Sequence, residues 1–110
     1  MKNVQQPINN LEDLAKSSNQ VGVVESAAVY EMFKTSEYET HEKIWHRMQA
    51  GGTFAQNFSQ GVQWVRERDD FTFIHDGLAL KYVSNLPPCD LSIGNLKGQG
   101  DLHLFIFNDR

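Results

Sequence analysis

The chain has 110 residues, of which 40% are apolar and 22% charged, and its formal net charge at pH 7 is -4. This length suits one domain or part of one, and the acidic balance without any basic run argues against nucleic-acid binding. The apolar runs are far shorter than the roughly 20 residues that cross a bilayer, and the first residues lack the apolar core of a signal peptide. The composition predicts a soluble globular piece.

Local patterns in the first third of the chain predict a helix, a strand and a second helix. Asn10 is placed to cap a short helix over 11–15, whose first turn is acidic. The β-branched run over 21–24 predicts a strand. Ser26 stands where an N-cap would begin the helix over 27–34, whose apolar residues recur at three and four positions.

The middle of the chain predicts two more helices joined by a loop. The first, over 38–49, has apolar residues at helical spacing, and the glycines at 51–52 end it. We expect 54–58 to form a loop that returns an aromatic side chain to the core. Ser59 is placed to cap the next helix, over 60–68.

The last third alternates strands with one helix. The segment over 71–76 predicts a strand covered on both faces, and 78–83 predicts a helix that ends before two prolines. Two further strands are expected at 89–94 and 102–107. The whole pattern is typical of an α/β lobe with a mostly parallel sheet and flanking helices.

In open α/β sheets, ligands bind beyond the carboxyl ends of the strands, which selects two places in this chain. One is the turn and helix start over 26–29; the other is His75-Asp76-Gly77. If both lie on one edge, a helix N-terminus and a carboxylate face the same cavity. This pairing suits a zwitterion, with N–H groups near Ala28 and Val29 holding a carboxylate and Asp76 holding an ammonium.

Seven segments follow one another over most of the chain. They are PINNLEDL at 7–14, GVVESAAVYEMF at 22–33, EKIWHRM at 42–48, GVQWVR at 61–66, FTFIHDGLALKYV at 71–83, CDLSIGNL at 89–96 and GQG at 98–100. In their order and spacing they resemble the second lobe of the ionotropic glutamate receptor ligand-binding domain. In this family the lobe is half of a clamshell similar to periplasmic solute-binding proteins, and closing it on an amino acid opens a cation channel. The resemblance therefore implies ligand sensing outside the cell rather than catalysis.

The resemblance also implies ligand-binding residues. Glutamate-binding members usually have Ser-Thr where this chain has Ala28-Val29, and the threonine hydroxyl helps to hold the ligand side chain. Asp76 stands where the family holds the ligand ammonium, as in glycine- and D-serine-binding members, although some glutamate-binding NMDA-type subunits share it. Ala28 and Val29 look most like delta-type or glycine-binding NMDA-type receptors. We therefore expect glycine or D-serine rather than glutamate.

The chain departs from the family after GQG. Residues 101–110 form a divergent tail beyond a partial lobe over 7–100, and 1–6 form a polar N-terminal segment. The resemblance implies that Cys89 is a half-cystine, and its partner cysteine is missing from this sequence. The first lobe, with the arginine that holds the ligand carboxylate, and the channel helices are also missing. The parent receptor is expected to be tetrameric. We therefore expect a fragment that neither gates a channel nor binds tightly alone.

Several other interpretations stay open. The lobe could belong to a solute-binding protein of an amino-acid transporter, or to an inert truncated product. Asp76 could serve only to cap the following helix, and Ser26 only to cap its own. An enzyme would need an acid/base pair that the sequence does not offer, and no motif calls for a metal or a cofactor.

Overall fold

The computed structural model describes residues 10–86, 91–95 and 103–108. Five helices and five strands follow each other along these residues. In chain order they are α1 (Leu11–Lys16), β1 (Gln20–Val24), α2 (Ala28–Thr35), α3 (Glu39–Gly51), β2 (Phe54–Ala55), α4 (Phe58–Glu67), β3 (Phe71–Asp76), α5 (Gly77–Ser84), β4 (Leu91–Asn95) and β5 (His103–Asn108).

The five strands form one sheet in the order β2-β1-β3-β5-β4. β1 pairs in parallel with both β2 and β3, whereas β5 is antiparallel to β3 and to β4. Four strands therefore run in one direction and β5 alone opposes them. The prediction of an α/β lobe with a mostly parallel sheet and flanking helices is confirmed, and the architecture is compatible with a lobe of the periplasmic-binding-protein type.

Helices cover both faces of the sheet, because successive strand residues point to opposite sides. α1, α2 and α3 pack on one face, and α4 and α5 on the other. Burial of these apolar side chains supplies the main stabilising free energy. The first core contains Leu14, Val21, Val23, Val29, Phe33, Ile44, Met48, Ile74 and Phe105, and the second contains Val24, Val62, Val65, Phe71, Phe73, Leu80, Leu104 and Ile106.

Two helix ends, the start of α1 and the end of α3, lie near their predicted positions. The side chain of Asn10 accepts a hydrogen bond from the Asp13 N–H at 2.9 Å, as expected at the start of α1. α3 ends at Gly51, and its C-cap residue Gly52 has φ of 62°, a conformation that glycine adopts without steric cost. Both predicted ends follow from side-chain or backbone chemistry that acts locally.

The segment over 54–58 was predicted as a loop that returns an aromatic side chain to the core. The aromatic contact is confirmed, because Phe54 and Phe58 pack against the two cores, but the loop is limited to 56–57. Phe54 and Ala55 form the edge strand β2 beside β1, and the Phe54 ring packs against Tyr30 and Trp45. The predicted cap of α4 is also wrong. Asn57 takes that position instead of Ser59, accepting a hydrogen bond from the Gln60 N–H at 2.8 Å, so the helix begins earlier.

Among the described residues, no helix has the length and apolar character that crossing a membrane requires.

Candidate ligand-binding site

The first side of the candidate site is the turn that joins β1 to α2. The turn is anchored because the Glu25 N–H donates to the Ala55 carbonyl at 2.9 Å and the Ala27 N–H donates to the Val24 carbonyl at 3.0 Å. α2 begins at Ala28, and its N-cap residue is Ala27, which has no side-chain acceptor. The first N–H groups of a helix have no intrahelical partner, so this helix start offers donors to a ligand.

Ser26 is not the cap of α2, contrary to prediction. The cap position falls one residue later, on Ala27, and Ser26 is exposed in the preceding turn. A serine favours capping by its chemistry, but the position of the cap depends on where Val29 and Phe33 must face the core.

The second side of the site is the end of β3. The Asp76 carboxylate caps α5, since its Oδ1 accepts a hydrogen bond from the Leu78 N–H at 2.9 Å. The capping role left open by the sequence is therefore confirmed. No donor within the described part of the chain contacts Oδ2, and the residue is exposed, so one carboxylate oxygen is available to another group.

Both sides meet at one cavity of about 400 Å³. They meet because β1 and β3 are parallel neighbours, so their carboxyl ends share an edge of the sheet. The structure thus brings together Ala28, Val29 and Asp76, as the strand-end rule predicts. The cavity is lined by Ala27, Ala28, Val29, His75, Asp76 and His103.

Two histidines complete the described lining, and of these two only His75 lies at a strand end that was predicted as a ligand site. His103 begins β5 and lies opposite Asp76 in the antiparallel ladder between β3 and β5. No local sequence pattern indicates this pairing, because the position of β5 between β3 and β4 depends on contacts distant in the chain. Within the described part of the chain, the cavity lining therefore includes one carboxylate and two imidazoles.

Burial keeps both imidazoles neutral at neutral pH. It lowers the pKa of His75, an effect opposed by Asp76 and reinforced by His103. Burial likewise lowers the pKa of His103, and Asp76 raises it in part. Because both values lie below the ordinary value of about 6.5, neither imidazole supplies a full positive charge to the cavity at pH 7.

Two further points concern Cys89 and metal binding. Cys89 lies outside the described residues, so its role as a half-cystine stays a prediction. In the ranges that the structure describes, no three or more histidine, cysteine, aspartate or glutamate side chains are grouped to hold a metal ion. The groups that the described lining offers a ligand are the N–H groups at the start of α2, the Asp76 carboxylate and two imidazoles.

Known proteins similar to this chain are receptors. A glutamate receptor of Lymnaea stagnalis is 32% identical over 100 residues, covering 86% of this chain and 11% of the relative. Glutamate receptor 3 of Rattus norvegicus and of Homo sapiens are each 31% identical over 100 residues, with the same coverage. No family model matches the chain.

These relatives are named as receptors and not as enzymes, in agreement with the resemblance found in the sequence. Their similarity extends over most of this chain but over a small part of their own length. The chain is therefore related to the ionotropic glutamate receptors over this segment, and it spans 11% of the length of the relatives that it matches.

Proposed function

We propose that this chain forms the amino-acid-binding second lobe of a ligand-gated cation channel. The observation that carries the proposal is the cavity in which the uncapped start of α2 faces the Asp76 carboxylate. The relatives named above support a receptor, whereas they give no support to a transporter protein or an inert product.

The two sides of the cavity complement the two charges of an amino acid. The N–H groups at the start of α2 and the positive end of its dipole favour a carboxylate. The free oxygen of Asp76 favours an ammonium, and hydrogen bonds between charged groups are among the stronger ones in proteins. Ala28, Val29 and Asp76 are the ligand-binding residues of this proposal, and Ser26 lies beside them in the turn.

The wall of the cavity favours a small ligand. Ala27, Ala28 and Val29 contribute only aliphatic side chains, so a second carboxylate on the ligand would find no side-chain hydroxyl there. A buried charge without partners is costly. We therefore propose glycine or D-serine as the ligand, with glutamate, which the relatives carry in their names, as the competing candidate.

The parent protein in this proposal is a tetrameric receptor whose ligand-binding domain faces the outside of the plasma membrane. Its first lobe closes over the ligand, and its channel helices respond to that closure. The partial lobe over 7–100 corresponds to the receptor segment, and Cys89 forms a disulfide with a cysteine elsewhere in the parent. β5 ties residues 103–108 of the predicted tail to the same sheet.

The test is a titration of the ¹⁵N-labelled chain with glycine, D-serine and glutamate at millimolar concentrations, followed by NMR. We expect saturable shifts at the amides of Ala28, Val29 and Leu78, with glycine and D-serine binding more tightly than glutamate. Asp76→Asn keeps the capping oxygen but removes the charge, so it should weaken binding by about 10- to 100-fold. Asp70→Asn, in the exposed turn before β3, is the matched control.

Different outcomes separate the parts of the proposal. An absence of saturable shifts with every amino acid would contradict the binding function. Tighter binding of glutamate would overturn the ligand preference and leave the receptor function standing. Ala28→Ser adds a hydroxyl at an exposed position of the wall, so it should shift the preference toward glutamate if the argument from the aliphatic wall is correct.

A further inference from the structure

The Asp76 carboxylate, which the proposed function assigns to the ligand ammonium, lies beside the His103 side chain, and this side chain becomes a cation when it is protonated. Asp76 and His103 are directly opposite each other in the antiparallel pair of β3 and β5. Residues so placed extend from the same face of the sheet, with Cβ atoms about 4.5–5.5 Å apart. Both also line the cavity, so the His103 imidazole and a bound ligand share one carboxylate.

His75 differs from His103 although it also lines the cavity. It precedes Asp76 in β3, so its side chain leaves the opposite face of the strand. Its ring stacks on Phe73 at 5.5 Å between centroids and contacts Phe58 at 5.0 Å. Its Nδ1 is buried and lacks a hydrogen-bond partner within the described residues. His75 is thus held by aromatic packing, whereas His103 is placed beside the carboxylate.

Where the structure describes the chain, β3 and the start of α2 border the cavity beside His103. β3 contributes Asp76, which attracts an imidazolium, and His75, which repels one when protonated. α2 contributes residues 27–29, none of which titrates, but its N-terminal dipole disfavours a cation. Among the described residues that line the cavity, Asp76 is the acidic one, so a protonated His103 would pair with it.

We propose that His103 makes ligand binding proton-dependent, because its imidazolium competes with the amino-acid ammonium for the Asp76 carboxylate. This inference rests on the proposed function, and it assigns to the same site a regulation by protons. At neutral pH the imidazole is neutral and the carboxylate is open to the ligand. As the pH falls, His103 gains a proton, pairs with Asp76 and weakens ligand binding.

The sign of the linkage follows from the two charges. A bound ammonium at Asp76 disfavours a second positive charge nearby, so it lowers the pKa of His103 further, and ligand binding below that pKa releases a proton. In the limit of complete competition, the dissociation constant rises about tenfold for each pH unit below the pKa of His103. Above that pKa, affinity is independent of pH.

The experiment measures the glycine dissociation constant of the full 110-residue chain by NMR from pH 8 down to pH 5. We expect affinity to fall with pH in the native chain and to change much less in His103→Gln, which keeps a polar side chain that does not titrate. His46→Gln, at an exposed position of α3, is the control that should keep the native pH dependence. Circular dichroism at each pH verifies that every variant stays folded.

A second readout needs no ligand. The imidazole resonances of His103 give its pKa directly, and Asp76→Asn should lower that pKa because it removes the attractive charge. Glycine binding that does not change with pH, or a pH dependence that survives in His103→Gln, would overturn this inference and leave the proposed function intact. An absence of glycine binding at every pH, with D-serine and glutamate also failing to bind, would overturn both.

Discussion

Two helices begin at the candidate cavity, and their first turns are built differently. α5 begins after Asp76, whose carboxylate accepts a hydrogen bond from the Leu78 N–H. α2 begins after Ala27, whose methyl group accepts nothing. The start of α5 is thus capped by a side chain of this chain, whereas the start of α2 leaves its donors to whatever occupies the cavity.

This difference shows that a side chain stabilises the start of α5, whereas the start of α2 gives up that stabilisation and keeps its N–H groups open to a ligand. A side-chain cap typically stabilises a helix by about 1 kcal/mol, and α2 lacks this contribution. Proteins commonly break a local rule at functional sites and compensate elsewhere. Here Val29 and Phe33 hold α2 against the sheet through core packing, so the helix forms without the cap.

Removing the cap of α5 should have the largest effect on stability. Asp76→Ala deletes the acceptor for the Leu78 N–H, so we expect the free energy of unfolding to fall by about 1 kcal/mol. Asp76→Asn retains an acceptor oxygen, so its free energy of unfolding should fall by less. Urea denaturation measures both, with Asp70→Ala as the control in an exposed turn. Equal losses in the Ala and Asn variants would contradict the capping role and assign the effect to charge.

Adding the missing cap to α2 should have the opposite effect. Ala27 already has the extended backbone of a cap residue, with φ of -84° and ψ of 157°. Ala27→Ser should therefore raise the free energy of unfolding by about 0.5–1 kcal/mol, because its hydroxyl can accept from the first turn. The same hydroxyl would occupy a donor that the proposed ligand needs, so amino-acid affinity should fall.

The control for this variant is the same substitution within a helix. Ala79→Ser, inside α5, should lower the free energy of unfolding by about 0.5 kcal/mol because serine is a poorer helix former than alanine. If Ala27→Ser destabilises the chain as Ala79→Ser does, the start of α2 has no donors to satisfy. Denaturant midpoints measure the gain in the free energy of unfolding, and the NMR titration with glycine measures the loss of affinity.

Much of this site could be predicted from the sequence because its elements have strong local patterns. The β-branched run of β1 and the two-sided burial of β3 are properties of short apolar segments, and both strands form where predicted. The placement of Ala28, Val29 and Asp76 at one edge then follows from the general rule for parallel strands. Neither step needs a distant contact.

The rest could not be predicted because it depends on pairing between distant segments. β2 has only two residues, and its identity as a strand comes from its register with β1. His103 reaches the cavity because β5 inserts antiparallel between β3 and β4. The caps at Ala27 and Asn57 also differ from the predicted serines. Asn57 is itself a favoured cap residue, and its side chain accepts the Gln60 N–H, so the cap of α4 falls two residues before Ser59. α2 begins after Ala27 without a side-chain cap, and its Val29 and Phe33 lie in the core.

The smallest expected effect is on the pH dependence of the free energy of unfolding. This dependence reports the contribution of the His75 imidazole, which packs on Phe73 and Phe58 and not beside the Asp76 carboxylate. Burial lowers the pKa of His75 in the folded chain, so the unfolded chain binds more protons as the pH falls below about 6.5. The free energy of unfolding should therefore decrease from pH 7.5 to pH 5.5. His75→Gln should reduce this slope without removing it, because burial also lowers the pKa of His41 and His103. Urea midpoints across this range measure the slope, and His46→Gln should retain it; an unchanged slope in His75→Gln would mean that packing on Phe73 and Phe58 does not keep this ring neutral.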